Sequence, residues 1–274
     1  MRSHANVEAL MRLHLLPRWG KLKLNEIKQQ DIAKWLGEKR AEGLAMSTVE
    51  KIRVTFHRSF ELAARWNIPG GQVNPVRGIP RPKFNNGRQR YLTATEAEKL
   101  HKAVAASWNK QLKNIVGLLL LTGARKRELL DAKWEHIDLE RKAWHIPDSK
   151  TGKARFVPLS QPALNLIEQL PKFEKCPWLL PNPETKQPFV DIKRAWDTAR
   201  KEAGLPGLRI HDLRHSAASF MINAGIDLYA VGRILGHADH QSTMRYSHLA
   251  NDTLLAAVEA GAANLKVDWT KAAA

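Results

Sequence analysis

The chain has 274 residues, 43% of them hydrophobic, and a single cysteine, Cys176. That length builds one large or two modest domains, and the cysteine count excludes an internal disulfide or a cysteine-based zinc site. Lys and Arg number 44 against 27 Asp and Glu, a net charge of +17. A charge this high favours a nucleic acid as partner, although solubility alone is the simpler explanation.

The charge is uneven along the chain. Residues 1–90 carry 18 basic and 7 acidic side chains, whereas residues 91–274 carry 26 and 20. The N-terminal third is therefore predicted to be the denser cationic surface. The first residues lack the apolar core of a signal peptide, and the longest apolar run, 115–121, is too short to cross a bilayer.

The first segment is predicted to be helical. Residues 31–40 place Ile32, Trp35 and Leu36 on one face of a helix. Ser47 and Glu50 have the spacing of a capping box, which predicts that a second helix begins there.

This second helix is predicted to have two contrasting faces. Its apolar stripe consists of Val49, Ile52, Phe56, Phe60 and Ala63. Its opposite face is basic and carries Lys51, Arg53, Arg58 and Arg65. Such a helix suits a small bundle that contacts phosphate on its outside, although an ordinary solvated face has the same pattern.

Residues 67–90 break the helical pattern with repeated Pro, Gly and Asn, so we predict no regular structure there. The segment is basic and contains Arg77, Arg81, Lys83, Arg88 and Arg90. We interpret it as a connection that runs along or around nucleic acid. The predicted domains are residues 1–82 and 91–274, with 83–90 as a basic linker.

The second domain opens with another capping box, Thr93 to Glu96, and continues into a buried helix that Gly123 ends. Residues 144–147 and 155–159 are predicted strands joined by a turn at 150–153. Later helices end at 223–225 and span 227–235, the latter closed by Gly236. The predicted fold class is mainly α with a small antiparallel β-sheet.

Arg125 follows one predicted helix and precedes another over 126–130. Cations are disfavoured at a helix N-terminus, so three basic residues there indicate a bound anion, unless the turn is simply exposed. Glu128 could orient one guanidinium group.

His211 and Arg214 are three residues apart at another predicted helix start. A guanidinium group there can hold two phosphate oxygens, and an imidazole can transfer a proton near neutral pH. His211 and His215 could alternatively bind a metal, but Arg214 between them disfavours a dication. We therefore predict no metal.

His237 follows Gly236 at the edge of a turn. Tyr246 lies in a polar stretch, so we expect an exposed phenol, although a lone tyrosine is usually half-buried packing. Lys150 and Lys153 in the predicted hairpin turn are both candidates to protonate a leaving oxygen, and composition does not choose between them.

These motifs together resemble the tyrosine recombinase family, also called phage-type integrases. The matching elements are Thr122 to Arg125 with Glu128, the turn at Lys150 with Val157 to Leu159, His211 to His215, Leu235 to His237, and Tyr246. The resemblance covers residues 91–250, and residues 1–82 resemble the family's helical core-binding domain less specifically. It implies a helical core-binding domain followed by a mixed α/β catalytic domain.

The resemblance also implies roles. Tyr246 attacks DNA and forms a 3′-phosphotyrosyl link, Arg125 and Arg214 hold the non-bridging oxygens, and Lys150 protonates the leaving 5′-oxygen. His211 acts as general acid or base, and His237 supports the phosphate. The residues expected to bind DNA in the first domain and linker are Lys51, Arg53, Arg58, Arg77, Arg81 and Lys83.

The implied partners are double-stranded attachment sites of a mobile element, clamped between two domains, with four protomers acting on two sites. The free protein is expected to be a cytoplasmic monomer that does not contact a membrane. The reaction is expected to need no cofactor, and DNA-bending accessory proteins could assist it. A family arm-binding domain is either absent or lies outside this chain. A tail helix from about residue 251 could pack in cis or on a neighbour.

Three other functions remain open at this point. A type IB topoisomerase shares the chemistry, a non-catalytic DNA-binding protein could share the scaffold, and a metal nuclease could act on the same substrate.

Overall fold

The computed structural model describes residues 4–82, 84, 90–147, 154–237, 239, 241–247, 258–259 and 261–262. The chain divides into two compact units, Met1–Arg88 and Gln89–Ala274. The predicted class, mainly α with a small antiparallel sheet, is confirmed. Among the described residues, no helix combines the length and apolarity that a membrane span requires.

The first unit is built from helices around an aromatic core. A continuous helical segment comprises α1 (His4–Leu10), a π-helical turn (Met11–Leu15) and α2 (Leu16–Trp19), followed by a 3-10 turn (Leu24–Glu26), α3 (Gln29–Ala41) and α4 (Met46–Arg65). The rings of Trp19, Trp35 and Phe56 pack with centroids 5.6 to 6.4 Å apart. The predicted helix over 31–40 is confirmed as part of α3.

The start of α4 differs from the prediction. The helix begins at Met46 after Ala45, whose side chain cannot accept a hydrogen bond, so Ser47 lies inside the first turn and the predicted capping box is wrong. Glu50 instead accepts hydrogen bonds from Arg53, at 2.7 Å from Nε and 2.9 Å from Nη2. The apolar stripe of α4 is confirmed, because all five of its predicted members are buried.

Residues 67–82 contain no helix or strand, as expected from their Pro and Gly content. They nevertheless pack on the first unit, since Val76 is fully buried in its core. The side-chain amide of Asn74 fixes this segment to α4 by donating to the His57 carbonyl at 3.1 Å and to Glu61 Oε1 at 3.0 Å.

The second unit is mostly helical. Its first helices are α5 (Ala94–Ala105), α6 (Leu112–Thr122) and α7 (Lys126–Leu130); after the sheet come α8 (Gln161–Glu168), α9 (Lys193–Glu202), α10 (Asp212–Asn223), α11 (Leu228–Leu235) and α12 (Gln241–Met244). The capping box of α5 is confirmed, because Thr93 Oγ1 accepts from the Glu96 backbone and Glu96 Oε2 accepts from the Thr93 backbone. Helix α6 is buried and packs against α5, α8 and α10.

Within the described ranges, the sheet has three antiparallel strands in the order β1 (Ile137–Asp138), β2 (Ala143–Ile146) and β3 (Arg155–Pro158). The two longer strands were predicted, and β1 was not. The predicted turn with Lys150 and Lys153 lies outside the described residues. So does most of the predicted tail helix, of which residues 258–259 and 261–262 are described and helical.

Candidate active site

Arg125 is held at the start of α7 by a carboxylate from the same turn. It occupies the N-cap position, where Glu128 Oε2 accepts from its backbone N–H at 2.9 Å. Glu128 Oε1 also accepts from the Arg125 guanidinium group, at 2.7 Å from Nη1. One carboxylate thus satisfies an unpaired N–H of the helix end and fixes the direction of the arginine side chain.

Glu128 also binds a second arginine, Arg155 of β3. The Arg155 Nη1 and Nη2 atoms donate to its two carboxylate oxygens at 2.8 and 2.9 Å. The Glu128 side chain is only 5% exposed. Burial by itself would raise the pKa of Glu128, but the hydrogen bonds from Arg155 and from Arg125 outweigh it and lower the pKa to about 2. Glu128 is therefore an anion that positions two cations.

The C-terminus of α11 closes over Arg155. Gly236 has φ +67°, and a Cβ there would lie 2.7 Å from Arg155 Nε, so both the backbone and the space require glycine. The Gly236 and His237 backbone N–H groups donate to the carbonyls of Arg233 and Gly232, each at 3.0 Å. This Schellman motif brings His237 to the site.

Arg214 lies at the point where two helix C-termini converge. Its Nη1 donates to the Gly123 carbonyl after α6 at 2.8 Å, and its Nη2 donates to the Leu235 carbonyl of α11 at 2.6 Å. The last carbonyls of a helix lack partners within it and carry the negative end of its dipole. They therefore provide a favourable environment for a buried guanidinium group.

Arg125 and Arg214 come together at the same backbone turn. Arg125 Nη2 lies 3.4 Å from the Gly236 carbonyl oxygen, next in sequence to the Leu235 carbonyl that Arg214 binds. Burial, followed by the positive charges of Arg125 and Arg155, lowers the pKa of Arg214 to about 9. The site therefore has an excess of positive charge that a bound anion would relieve.

Two of the predicted histidines border this cationic group. His211 occupies the N-cap position of α10 and is exposed, and desolvation, followed by the charge of Arg214, lowers its pKa. Burial, again followed by Arg214, lowers the pKa of His237 to about 4. Nδ1 of His237 is hydrogen-bonded to Thr243 Oγ1 at 2.7 Å. Both imidazoles are thus neutral near pH 7.

Tyr246 reaches the site from the segment after α12, but its phenol is not exposed as predicted. The residue is 4% exposed and packs against Ala218, Ile222, Val231 and Leu235. Its hydroxyl group is hydrogen-bonded to His215 Nδ1. The prediction of an exposed phenol is wrong because long-range contacts to α10 and α11, rather than the polar neighbours in sequence, determine its burial.

A comparison with known families identifies the chain. Residues 90–252 match the model of the phage integrase family. The shufflon-specific DNA recombinase of Escherichia coli is 33% identical over 190 residues, which cover 69% of this chain and 48% of that protein. Tyrosine recombinase XerC of Staphylococcus carnosus is 30% identical over 246 residues, 85% of this chain and 81% of that protein.

The chain belongs to the phage integrase family of tyrosine recombinases. It spans about half the length of the Escherichia coli relative and of the integrase of Salmonella phage P22, which is 33% identical over 195 residues.

Solved integrase structures show the same fold. The integrase of transposon Tn1549, in complex with transposon right end DNA, superimposes with a TM-score of 0.76 at 18% identity and covers 95% of this chain and 94% of that chain. The catalytic domain of bacteriophage HP1 integrase is 28% identical, with a TM-score of 0.51, and covers 63% of this chain and 95% of that chain. The tyrosine recombinase architecture is therefore established for the chain.

The structure brings together Arg125, Glu128, His211, Arg214, His237 and Tyr246 of the predicted site residues. Lys150 lies outside the described residues, so its place relative to them stays a prediction. Sequence reasoning assigned no role to Arg155, and it considered His215 only as a possible metal ligand. The inward direction of Arg155 could have been inferred from the sequence. Residues two apart on a strand share a face, and Val157, two residues after Arg155, is fully buried.

The predicted DNA-binding residues of the first unit differ in exposure and in whether a carboxylate pairs with them. Lys51 and Arg58 are exposed on α4. Arg53 is paired with Glu50 and only 14% exposed. Arg77 and Arg81 are exposed but lie 3.0 and 3.4 Å from Glu61 and Glu50 carboxylate oxygens. Lys83 lies outside the described residues.

Proposed function

We propose that this member of the phage integrase family is a site-specific recombinase of a mobile genetic element. It cleaves and rejoins duplex DNA through a 3′-phosphotyrosyl intermediate. The observation that carries the proposal is that Arg125 and Arg214 meet at consecutive carbonyls of one turn, and that Tyr246 packs against α10 and α11 beside them. The names of the relatives, which include a recombinase, a phage integrase and XerC, support the same function.

The cationic group fits the phosphate of a DNA backbone. Arg125 and Arg155 both bind the carboxylate of Glu128, and Arg214 lies close enough to interact with it electrostatically, so three guanidinium groups share one carboxylate. A scissile phosphate would neutralise the remaining charge, and the positions of the donors are fixed before it binds. Donors fixed in this way stabilise the charge that develops on phosphate oxygens during attack, and losing one typically costs on the order of 10²–10³ in rate.

The proposed reaction has two steps that reverse each other. In cleavage, the Tyr246 oxygen bonds to phosphorus, the bond from phosphorus to the 5′-oxygen breaks, and that oxygen takes a proton from Lys150. His211 acts as general acid or base, and His237 supports the phosphate. In rejoining, a 5′-hydroxyl group of another strand attacks the phosphotyrosine and releases the phenol. The covalent link conserves the energy of the broken bond, so the reaction consumes no nucleotide.

Helix α4 supplies a candidate DNA surface in the first unit. Lys51, Arg58 and Arg65 follow one another at intervals of seven residues and are all exposed, so they form a stripe along one helix face. Arg77, Arg81 and Lys83 extend the basic character beyond it. We propose that this surface and the catalytic unit both bind the DNA of an attachment site, and that four protomers act on two sites. The solved λ integrase tetramer bound to a Holliday junction supports that assembly.

A nicked suicide substrate tests the proposal. Duplexes with a randomised core and a nick just 3′ of the candidate cleavage position release a short 5′-hydroxyl fragment, so cleavage traps the protein on DNA. We expect wild-type protein to form a covalent adduct, and Tyr246→Phe to bind DNA equally well without forming one. An adduct with the Phe variant would contradict the assignment of the nucleophile. Relaxation of supercoiled DNA that lacks any selected site would instead favour a topoisomerase.

A further inference from the structure

His215 is a half-buried histidine to which the proposed mechanism assigns no role. It follows Arg214 on α10, and its Nδ1 is hydrogen-bonded to the hydroxyl group of Tyr246. The His211 ring is also close, at 5.1 Å between centroids in an edge-on arrangement. Within the part of the chain that the structure describes, His215 is the hydrogen-bond partner of the phenol, and His211 is not.

The hydrogen bond between Tyr246 and His215 has two possible directions, because Nδ1 can donate or accept. Tyr246 is buried, and among the described residues Nδ1 of His215 is the atom positioned to accept its hydroxyl hydrogen. The phenol donates to Nδ1 when the ring hydrogen lies on Nε2. In the other tautomer Nε2 accepts from Arg245 Nη1, 3.4 Å away, and Nδ1 donates to the phenol oxygen. Proton transfer from the phenol requires the first tautomer.

Burial and the neighbouring charges keep His215 neutral. Burial lowers its pKa to about 4, followed by the effects of His211 on α10 and Arg245 beyond α12. Arg214 lowers the pKa and Asp212 raises it, both from α10, and His237 lies close enough to interact electrostatically. At neutral pH the imidazole is thus in the form that can accept a proton.

We propose that His215, rather than His211, accepts the proton of Tyr246 as the phenol attacks phosphorus. This inference rests on the proposed recombinase function and assigns one proton in it. As the bond between the Tyr246 oxygen and phosphorus forms, the O–H bond breaks and its proton moves to Nδ1 of His215. The imidazolium ion returns that proton to the phenol when the strand is rejoined. The proton on the leaving 5′-oxygen comes from a different group, Lys150, so each proton that is released has an acceptor.

The test measures the rate of adduct formation with the nicked duplex in a single turnover. His215→Ala removes the imidazole, and His215→Asn keeps an acceptor oxygen near the place of Nδ1 without a basic nitrogen. We expect both to slow cleavage by a factor on the order of 10²–10⁴, the usual contribution of a general base. His101→Ala, an exposed histidine on α5, is the matched control and should cleave at the wild-type rate.

A fluorinated tyrosine at position 246 separates proton transfer from positioning. Its phenol has a lower pKa and needs less help from a base, so it should restore most of the rate to both His215 variants and change the wild type little. The inference would be overturned if His215→Asn cleaved at the wild-type rate. It would also be overturned if fluorotyrosine did not restore the rate of a slow His215 variant. Failure of the wild type to form an adduct, or an adduct with Tyr246→Phe, would instead refute the proposed function. Circular dichroism and DNA binding check folding, and the Asn variant decides if the Ala variant unfolds.

Discussion

Arg155→Met is the substitution whose effect the structure predicts most fully. The change removes both hydrogen bonds from Arg155 to the buried carboxylate of Glu128 and keeps an unbranched side chain. The pKa of Glu128 is about 2, against an ordinary value of 4.5. A difference of that size corresponds to roughly 3 kcal/mol of stability at neutral pH. Because Arg125 still binds the carboxylate, we expect the variant to lose part of this stabilisation, about 2–3 kcal/mol of the free energy of unfolding.

This loss should depend on pH in a defined direction. The pKa of Glu128 is depressed in the folded protein, so the stabilisation is fully present above pH 4.5 and is lost as the pH falls towards 2. The difference in the free energy of unfolding between wild type and variant should therefore fall to roughly half by about pH 3. Adduct formation should also slow by on the order of 10², because Arg125 loses part of its support.

Urea titration of the full chain measures the free energy, with the two units fitted as separate transitions. Arg141→Met is the control, since Arg141 is 87% exposed and its Nε lies 3.8 Å from Asp138. It should change stability by less than about 0.5 kcal/mol. A loss below about 1 kcal/mol for Arg155→Met, or a loss that is equal at pH 7 and pH 3, would refute the reasoning.

Three further predictions concern the turn, the DNA surface and metal dependence. Gly236→Ala should slow adduct formation and lower the melting temperature more than Gly225→Ala does. Both glycines have a positive φ, but only a Cβ at position 236 would meet another side chain, that of Arg155. Equal effects of the two substitutions would contradict the close contact. Arg58→Ala should reduce the slope of log affinity against log salt by about 1, and Arg53→Ala should reduce it less because Glu50 pairs with Arg53; the reverse order would count against the α4 surface. Excess EDTA should leave the rate of adduct formation unchanged, whereas loss of activity would indicate a metal nuclease.

Features with a local cause could be predicted from the sequence. Gly123 and Gly236 end helices because the left-handed conformation they adopt is accessible to glycine at little cost. The capping box at Thr93 was recognisable for the same reason, since three residues contain the whole signal. The start of α4 was not, because the Ser47 pattern competed with an ion pair between Glu50 and Arg53 that the sequence pattern did not reveal.

Features decided by long-range packing could not be predicted. Tyr246 has polar neighbours in sequence, yet residues of α10 and α11 bury its ring. Its contact with His215 joins residues 31 apart. The inward direction of Arg155 could be read from its strand, but its pairing with Glu128, 27 residues away, could not. A motif indicates which residue types are present, but the order in which side chains touch emerges only when the helices and the sheet have packed.

Mass spectrometry of the trapped protein–DNA adduct tests the central claim most directly. After nuclease and protease digestion, we expect a nucleotide joined through its 3′-phosphate to the peptide that contains Tyr246, and the same peptide unmodified in Tyr246→Phe. A phosphate bond to any other residue, or cleavage of the selected duplex without a covalent link to protein, would contradict the account.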